Sequence, residues 1–229
     1  MKTSAPVVNE SAFTRIRILE LRVNPVIGEF NAAHLREINR RILQDMPMYN
    51  GGHYRISMGE HVRSRAIQNG LDSYVVHYKH GGVDDEVINT AIHRAGTINE
   101  LRQLERTDFC KQLARLYADL DHIHAFNEAN SRTLRVFTEQ LTLAVGYQLD
   151  WTKLESMALA NHSVRDTLYM ARDLEVSKRS FPDLTITKMR DASPSEFEAY
   201  DTQKKISHVF SMSFQDLMLQ YLMKGILDH

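Results

Sequence analysis

Apolar residues recur through most of this chain at steps of three and four, the spacing that lines one face of an α-helix. The clearest run is Leu35, Ile38, Ile42 and Met46, preceded by Asn31 as an N-cap and stopped by Pro47 and Gly51-Gly52. Upstream, Phe13, Ile16 and Leu19 predict a first helix that ends near Asn24-Pro25, because proline disfavours helical geometry in the residue before it. Downstream, Asp84-Asp85 opens a helix with Ile88, Ile92 and Ala95 inside, and Gly96 breaks it before Ile98-Leu104. Thr107 is the expected cap of the next helix, with the stripe Phe109, Leu113, Leu116, Tyr117 and Leu120. Val136, Phe137, Leu141 and Ala144-Val145 mark another buried helix, stopped by Gly146. Asp150 or Thr152 caps a helix through Leu154, Met157 and Ala158, another covers Val164 to Leu174, and residues 196–227 regain the period.

Three stretches break this pattern. Residues 1–12 are polar and read as an arm, and residues 177–195, with Pro182 and Pro194, read as a linker or irregular wrap. Between residues 53 and 80 the period shortens: His53-Tyr54-Arg55-Ile56-Ser57 and Ser73 to Lys79 are rich in β-formers, with Gly59, Gly70 and Gly81-Gly82 between and after them. A hairpin or short extended pair is expected there. It is either an ordinary surface hairpin or a strand that clamps a peptide by main-chain pairing. The fold class is therefore all-α with a small β-hairpin, in three parts: an arm and first helix (1–24), a central domain (25–176) and a C-terminal linker with a helical extension (177–229).

The polar residues concentrate where two apolar helices meet, from His124 to Arg135. A histidine titrates near neutrality, so His124 is a candidate proton acceptor for a hydroxyl. Ala129, Asn130 and Ser131 precede a helix start, whose unpaired N–H groups favour a phosphate. Arg132 and Arg135 lie on its first turn, and guanidinium groups match phosphate oxygens two at a time. Glu128 is a lone carboxylate, which together with phosphates is a common way to hold Mg²⁺. Singly, His124 could be a helix cap and the arginines a solvated face, while His122, His124 and Glu128 lack a third soft ligand for a transition metal. Jointly they point to transfer of a phosphorus-containing group.

Composition narrows the setting. The 229 residues are 43% hydrophobic and 25% charged, enough for one sizeable core. With 28 basic against 29 acidic residues there is no broad electrostatic footprint for nucleic acid. No apolar run approaches the roughly 20 residues needed to span a bilayer, and the first residues lack an apolar signal core. Cys110 is the lone cysteine and lies on an apolar helical side, so it reads as a core residue in a reducing compartment.

Residues 124–135 resemble the Fic family signature, His-x-Phe-x-(Asp/Glu)-Gly-Asn-Gly-Arg-x-x-Arg, through His124, Phe126, Glu128, Asn130, Arg132 and Arg135. The likeness extends to residues 30–46 with the turn Tyr49-Asn50-Gly51-Gly52, and to Gly146 through Trp151. It implies a helical Fic fold and transfer of AMP from ATP to a Ser, Thr or Tyr hydroxyl of a target protein. In that role His124 is the base, Glu128 holds Mg²⁺, and amides around Ala129, Asn130 and Ser131 form the anion hole. Arg132 grips the outer phosphates, Arg135 takes an inhibitory glutamate, and Phe126 anchors the loop. The resemblance also implies that a flap within 53–80 docks the target by strand addition.

The sequence departs from the signature at Ala125, for proline, and at Ala129 and Ser131, for glycines; a side chain at φ > 0 there costs on the order of 1 kcal/mol. The inhibitory pattern (Ser/Thr)-x-x-x-Glu-(Gly/Asn) has no match, Ser193 to Glu198 having the wrong spacing. A small antitoxin-like protein is then the expected source of a glutamate for Arg135. The reading is a bacterial toxin or effector, cytoplasmic or secreted into a host cell. The alternatives are transfer of another nucleotide or of phosphocholine, or a catalytically weakened protein-binding module.

Overall fold

Helices dominate the chain, and one two-stranded hairpin interrupts them. The computed structural model describes residues 10–56, 59–66, 73–149, 151, 164–185, 189, 191–209, 214–216 and 218. The helices are α1 (Glu10–Val23), α2 (Ala32–Ile42), α3 (Asp85–His93), α4 (Ile98–Arg102), α5 (Arg106–Ile123), α6 (Asn130–Val145), α7 (Val164–Ser180) and α8 (Pro194–Val209). The hairpin pairs β1 (Val62–Ala66) with β2 (Ser73–His77), antiparallel, with Arg63 opposite Val76 and Arg65 opposite Tyr74. A single 3₁₀ turn covers Pro47–Tyr49.

Most boundaries follow local chemistry. Asn31 caps α2 by accepting from the His34 N–H, and Asp84 caps α3 through Val87. Thr97 and Glu100 form a reciprocal capping box on α4. Helix α5 begins at Arg106 behind Glu105, one residue before the expected cap Thr107, and no side-chain hydrogen bond holds that end. Gly146 ends α6 at φ 104°, a conformation that glycine reaches without steric cost.

Helix α2 packs on α6, α5 lies between α6 and α7, and α7 and α8 back onto β2. Leu35, Ile38, Ile42 and Met46 are fully buried, as are Phe109, Tyr117 and Phe137. Each such aliphatic side chain contributes about 1.5–3 kcal/mol by leaving water. Cys110 is a buried core residue, its thiol pushed up to about 12 by burial.

The structure corrects four sequence expectations. In α1 the predicted apolar row faces outward: Phe13, Ile16 and Leu19 are exposed, and Thr14 and Leu21 are buried. In this orientation the helix carries ion pairs of Arg17 with Asp45, Arg22 with Glu139 and Glu10 with Arg132. Glu10 to Ala12 belong to this helix rather than to an arm. Residues 53–56 form no strand; Tyr54 makes only an isolated bridge to Phe126, and β1 is instead the polar run Val62–Ala66. Helix α7 continues past Leu174 to Ser180, so the wrap begins later than expected. The expected helix through Leu154, Met157 and Ala158 lies outside the described residues, as do residues 1–9 and 219–229.

Candidate active site

Helix α5 ends by turning into the left-handed region at His124 (φ 48°), and α6 begins behind Ala129 (φ 61°). The residues between them form a closed loop. Asn130 accepts from the Phe126 N–H at 2.9 Å and donates to the Phe126 carbonyl at 2.6 Å. Phe126 is buried and stacks on Tyr54. Asn39 of α2 donates to the Glu128 carbonyl and to Thr133 Oγ1, fastening the far side.

A buried arginine to which the sequence assigned no site role holds the near side. Arg55 Nε donates to the His124 carbonyl at 2.9 Å, and Nη2 reaches the Ile123 and Lys79 carbonyls. The His124 and Ile123 carbonyls are orphan acceptors at the end of α5, where a cation suits the negative end of the helix. Its own N–H donates to the Ala125 carbonyl at 2.9 Å. The short β-rich run His53 to Ser57 was the available signal. Its function is to staple the loop.

His124 is buried, with 7% of its surface exposed. Its ring meets the Tyr78 ring at 3.9 Å and the His61 ring at 5.0 Å. Burial, then His61 and the arginines Arg63, Arg172 and Arg65, hold its pKa well below the ordinary value, so it is neutral at pH 7. A neutral imidazole has a lone pair for a proton.

No side chain caps α6, which leaves its first-turn N–H groups available to an anion. Of the two residues that replace glycines, only Ala129 takes a positive φ. Ser131 lies within α6, and its Oγ accepts from Arg172 Nη1 at 2.9 Å. Arg172 is itself buried and forked onto Asp121 of α5 at 2.6 and 3.0 Å. An Arg-Asp pair inside the apolar run Leu168 to Leu174 was the sequence signal for this network.

The two arginines of the loop part company. Arg132 faces α1, with Nη2 on Glu10 Oε1 at 2.6 Å and Nη1 on Thr14 Oγ1 at 3.1 Å. Hydrogen bonding to Arg132 holds the Glu10 carboxyl below its usual range. Tyr49 donates to the other Glu10 oxygen at 3.2 Å, and its hydroxyl pKa is raised by Glu10 first and by Glu128 among the lesser causes. Glu128, Tyr49, Glu10 and Arg132 therefore form one electrostatic cluster. Arg135 stands apart, with its Nε on the Ser131 carbonyl at 3.4 Å and no acid among the described residues engaged. A glutamate of this chain thus reaches an arginine of the loop, although no inhibitory pattern was legible, and it reaches Arg132 rather than Arg135.

The carboxylate of Glu128 makes no hydrogen bond or ion pair to a described residue, and a free oxygen donor of this kind suits Mg²⁺ with phosphate and water completing its shell. Among the described residues no group of three or more His, Cys, Asp or Glu side chains could hold a metal, so His122, His124 and Glu128 do not form a transition-metal site.

The hairpin leans over the loop, and Arg63 Nη2 donates to the Asn127 carbonyl at 3.0 Å. The edge of β2 is already engaged. Thr202 Oγ1 accepts from the Val75 N–H and donates to its carbonyl, Lys205 takes the Ser73 carbonyl and Ser180 the His77 carbonyl. The outward main-chain groups of β1, at Val62, Ser64 and Ala66, meet no described partner.

Comparisons with known proteins accord with this geometry. The model of the Fic/DOC family matches residues 29–142. A Bartonella schoenbuchensis protein named protein adenylyltransferase VbhT is 26% identical over 80% of this chain and 36% of its own length. An Escherichia coli K12 protein, under the name probable protein adenylyltransferase Fic, is 26% identical over 63% of this chain and 65% of its own. The chain therefore spans about a third of the first relative and just under two-thirds of the second. Among solved structures, the N-terminal Fic domain of a Bartonella quintana VirB-translocated effector, with bound ADP, has TM-score 0.56 at 20% identity, covering 93% of this chain and 82% of that one. The Bartonella tribocorum BepC protein with bound AMPPNP has TM-score 0.54 at 18% identity, covering 93% and 83%. These likenesses show a shared fold. Among the described residues no helix is long and apolar enough to cross a membrane.

Proposed function

The chain belongs to the Fic/DOC family, and we propose that it is a protein adenylyltransferase, moving AMP from ATP to a hydroxyl of a target protein. The observation that carries this reading is the closed loop, which joins a buried His124 at the end of α5 to the uncapped start of α6. The names of the two relatives and their identity over most of this chain support it.

His124 takes the proton of the target hydroxyl as its oxygen bonds to the α-phosphorus. The bond from that phosphorus to the bridging oxygen breaks, and pyrophosphate leaves with the electron pair. The first-turn amides of α6 hold the phosphate oxygens that gain charge, where preorganised donors act most strongly. Arg132 binds the outer phosphates once Glu10 releases it. Glu128 is the residue that would hold Mg²⁺, which supplies positive charge against the phosphates. Because α7 and α8 occupy the β2 edge, a target strand adds along Val62, Ser64 and Ala66 of β1.

Incubation with ATP labelled at the α-phosphate tests this reading. Label should pass to protein with wild type and not with His124→Ala. Label carried equally by both, or by neither from any nucleotide, would reject it.

A further inference from the structure

The base of the proposed reaction has an incomplete hydrogen-bond shell. His124 Nδ1 is buried and has no partner, and the same is true of His61 Nε2. These two orphan atoms belong to neighbouring rings with centroids 5.0 Å apart and planes tilted by 39°. A ring nitrogen lies about 1.2 Å from its centroid, so an N–H···N bond of about 2.9 Å sets two imidazoles about 5 Å apart. The χ2 torsion of histidine is broad, and a small rotation of either ring aligns them. One bond then satisfies both atoms.

We propose that His61 is the positioning residue of the base, its Nε2 accepting the Nδ1–H of His124. That bond fixes the tautomer of His124 in which Nε2 is bare toward the target hydroxyl. It also strengthens as the reaction proceeds, because the imidazolium formed by proton uptake is the better donor. The inference rests on His124 being the base.

The surroundings leave this task to His61. Facing the pair are Arg55 from the segment before the hairpin, Arg63 and Arg65 of β1, Tyr78 just past β2 and Arg172 of α7. Of the nearby carboxylates, Asp121 is forked onto Arg172, and Asp173 takes Arg65 and Tyr74 on Oδ2 while its Oδ1 is buried without a partner. Neither carboxylate bonds His124, whose Nδ1 meets no described acceptor. Burial, then Arg55 and Arg63, hold the His61 pKa down to about 4, so at neutral pH its nitrogen stays an acceptor. Main-chain pairing of Tyr78 N–H with the His61 carbonyl at 2.9 Å fixes the residue at the base of the hairpin. The hairpin therefore orients the base as well as covering it.

Ring-nitrogen NMR of histidine-labelled wild type gives the direct test, independent of any activity. Nδ1 of His124 should carry the proton, with a slowly exchanging signal that is lost in His61→Phe while near-UV circular dichroism is retained. In transfer assays, His61→Phe should lower kcat by on the order of 10- to 100-fold with KM for ATP unchanged, and His61→Gln, which keeps an acceptor, should recover part of it. A His124 spectrum with Nδ1 unprotonated, or one unaltered in His61→Phe, overturns the proposal. Equal losses in Phe and Gln variants would also overturn it. If wild type transfers nothing, the adenylylation reading fails while the spectrum still decides the pairing.

Discussion

Arg172 joins the buried carboxylate of Asp121 to the hydroxyl of Ser131, and so ties α7 and α5 to the first turn of α6. Both charged side chains are about 1% exposed. Although burial opposes it, the adjacent Asp121 carboxylate holds the Arg172 pKa well above its usual value, and the pair stays ionised. Removing one member leaves an unpaired buried charge, at a cost of about 3–5 kcal/mol. Arg172→Met should therefore destabilise by that amount in urea denaturation. The double variant Arg172→Met with Asp121→Leu should recover most of it, and a double variant as weak as the single would contradict this account.

Ala129 is held at φ 61°, where its Cβ crowds the backbone. Glycine carries no such strain, so Ala129→Gly should stabilise by on the order of 1 kcal/mol. The midpoint of chemical denaturation should rise with its slope unchanged. A lower midpoint would mean that the burial of this methyl outweighs the strain.

Three histidines of the site region are held below their ordinary value of 6.5. His61 and His122 lie down to about 4 and His124 well below, in each case chiefly through burial. The unfolded chain takes up these protons first as pH falls. Their contribution is thus present above pH 6.5 and is lost progressively toward pH 4 and below. Thermal stability should fall across that window, and less steeply in His122→Phe. For the same reason the acid limb of the transfer rate should lie well under pH 6.5.

How much of this was legible beforehand depended on how local each signal was. The helix faces of α2 and α5 and the loop from His124 to Arg135 are written in short-range spacing, and those elements stand where the periods put them. The rotation of α1 was not, because the contacts of its inward side, Arg17 on Asp45 and Glu10 on Arg132 among them, join residues distant in sequence. The strand Val62–Ala66 was missed for a similar reason. Its composition is polar, and its pairing is imposed by β2 and by Arg65 reaching Asp173 across the fold. Arg55 and Arg172 look like surface residues in sequence, and only burial against main-chain oxygens and Asp121 reveals their use.

In the proposed reaction Glu10 and the outer phosphates of ATP would compete for Arg132. The carboxylate takes Nη2 at 2.6 Å, while Thr14 takes Nη1 at 3.1 Å. Its pKa is lowered by the hydrogen bond from Arg132, so the contact is intact at neutral pH and is lost only as pH falls through that depressed value. The Glu10 side chain is 37% exposed, which limits the pair to under about 1 kcal/mol of stability. Glu10→Ala should therefore leave thermal stability almost unchanged while lowering KM for ATP and raising AMP transfer several-fold. Glu10→Gln, which keeps the shape but not the charge, should fall between. Transfer that stays at the wild-type level in Glu10→Ala would mean that α1 does not restrain the site, and Arg132→Ala should abolish the difference between the two forms.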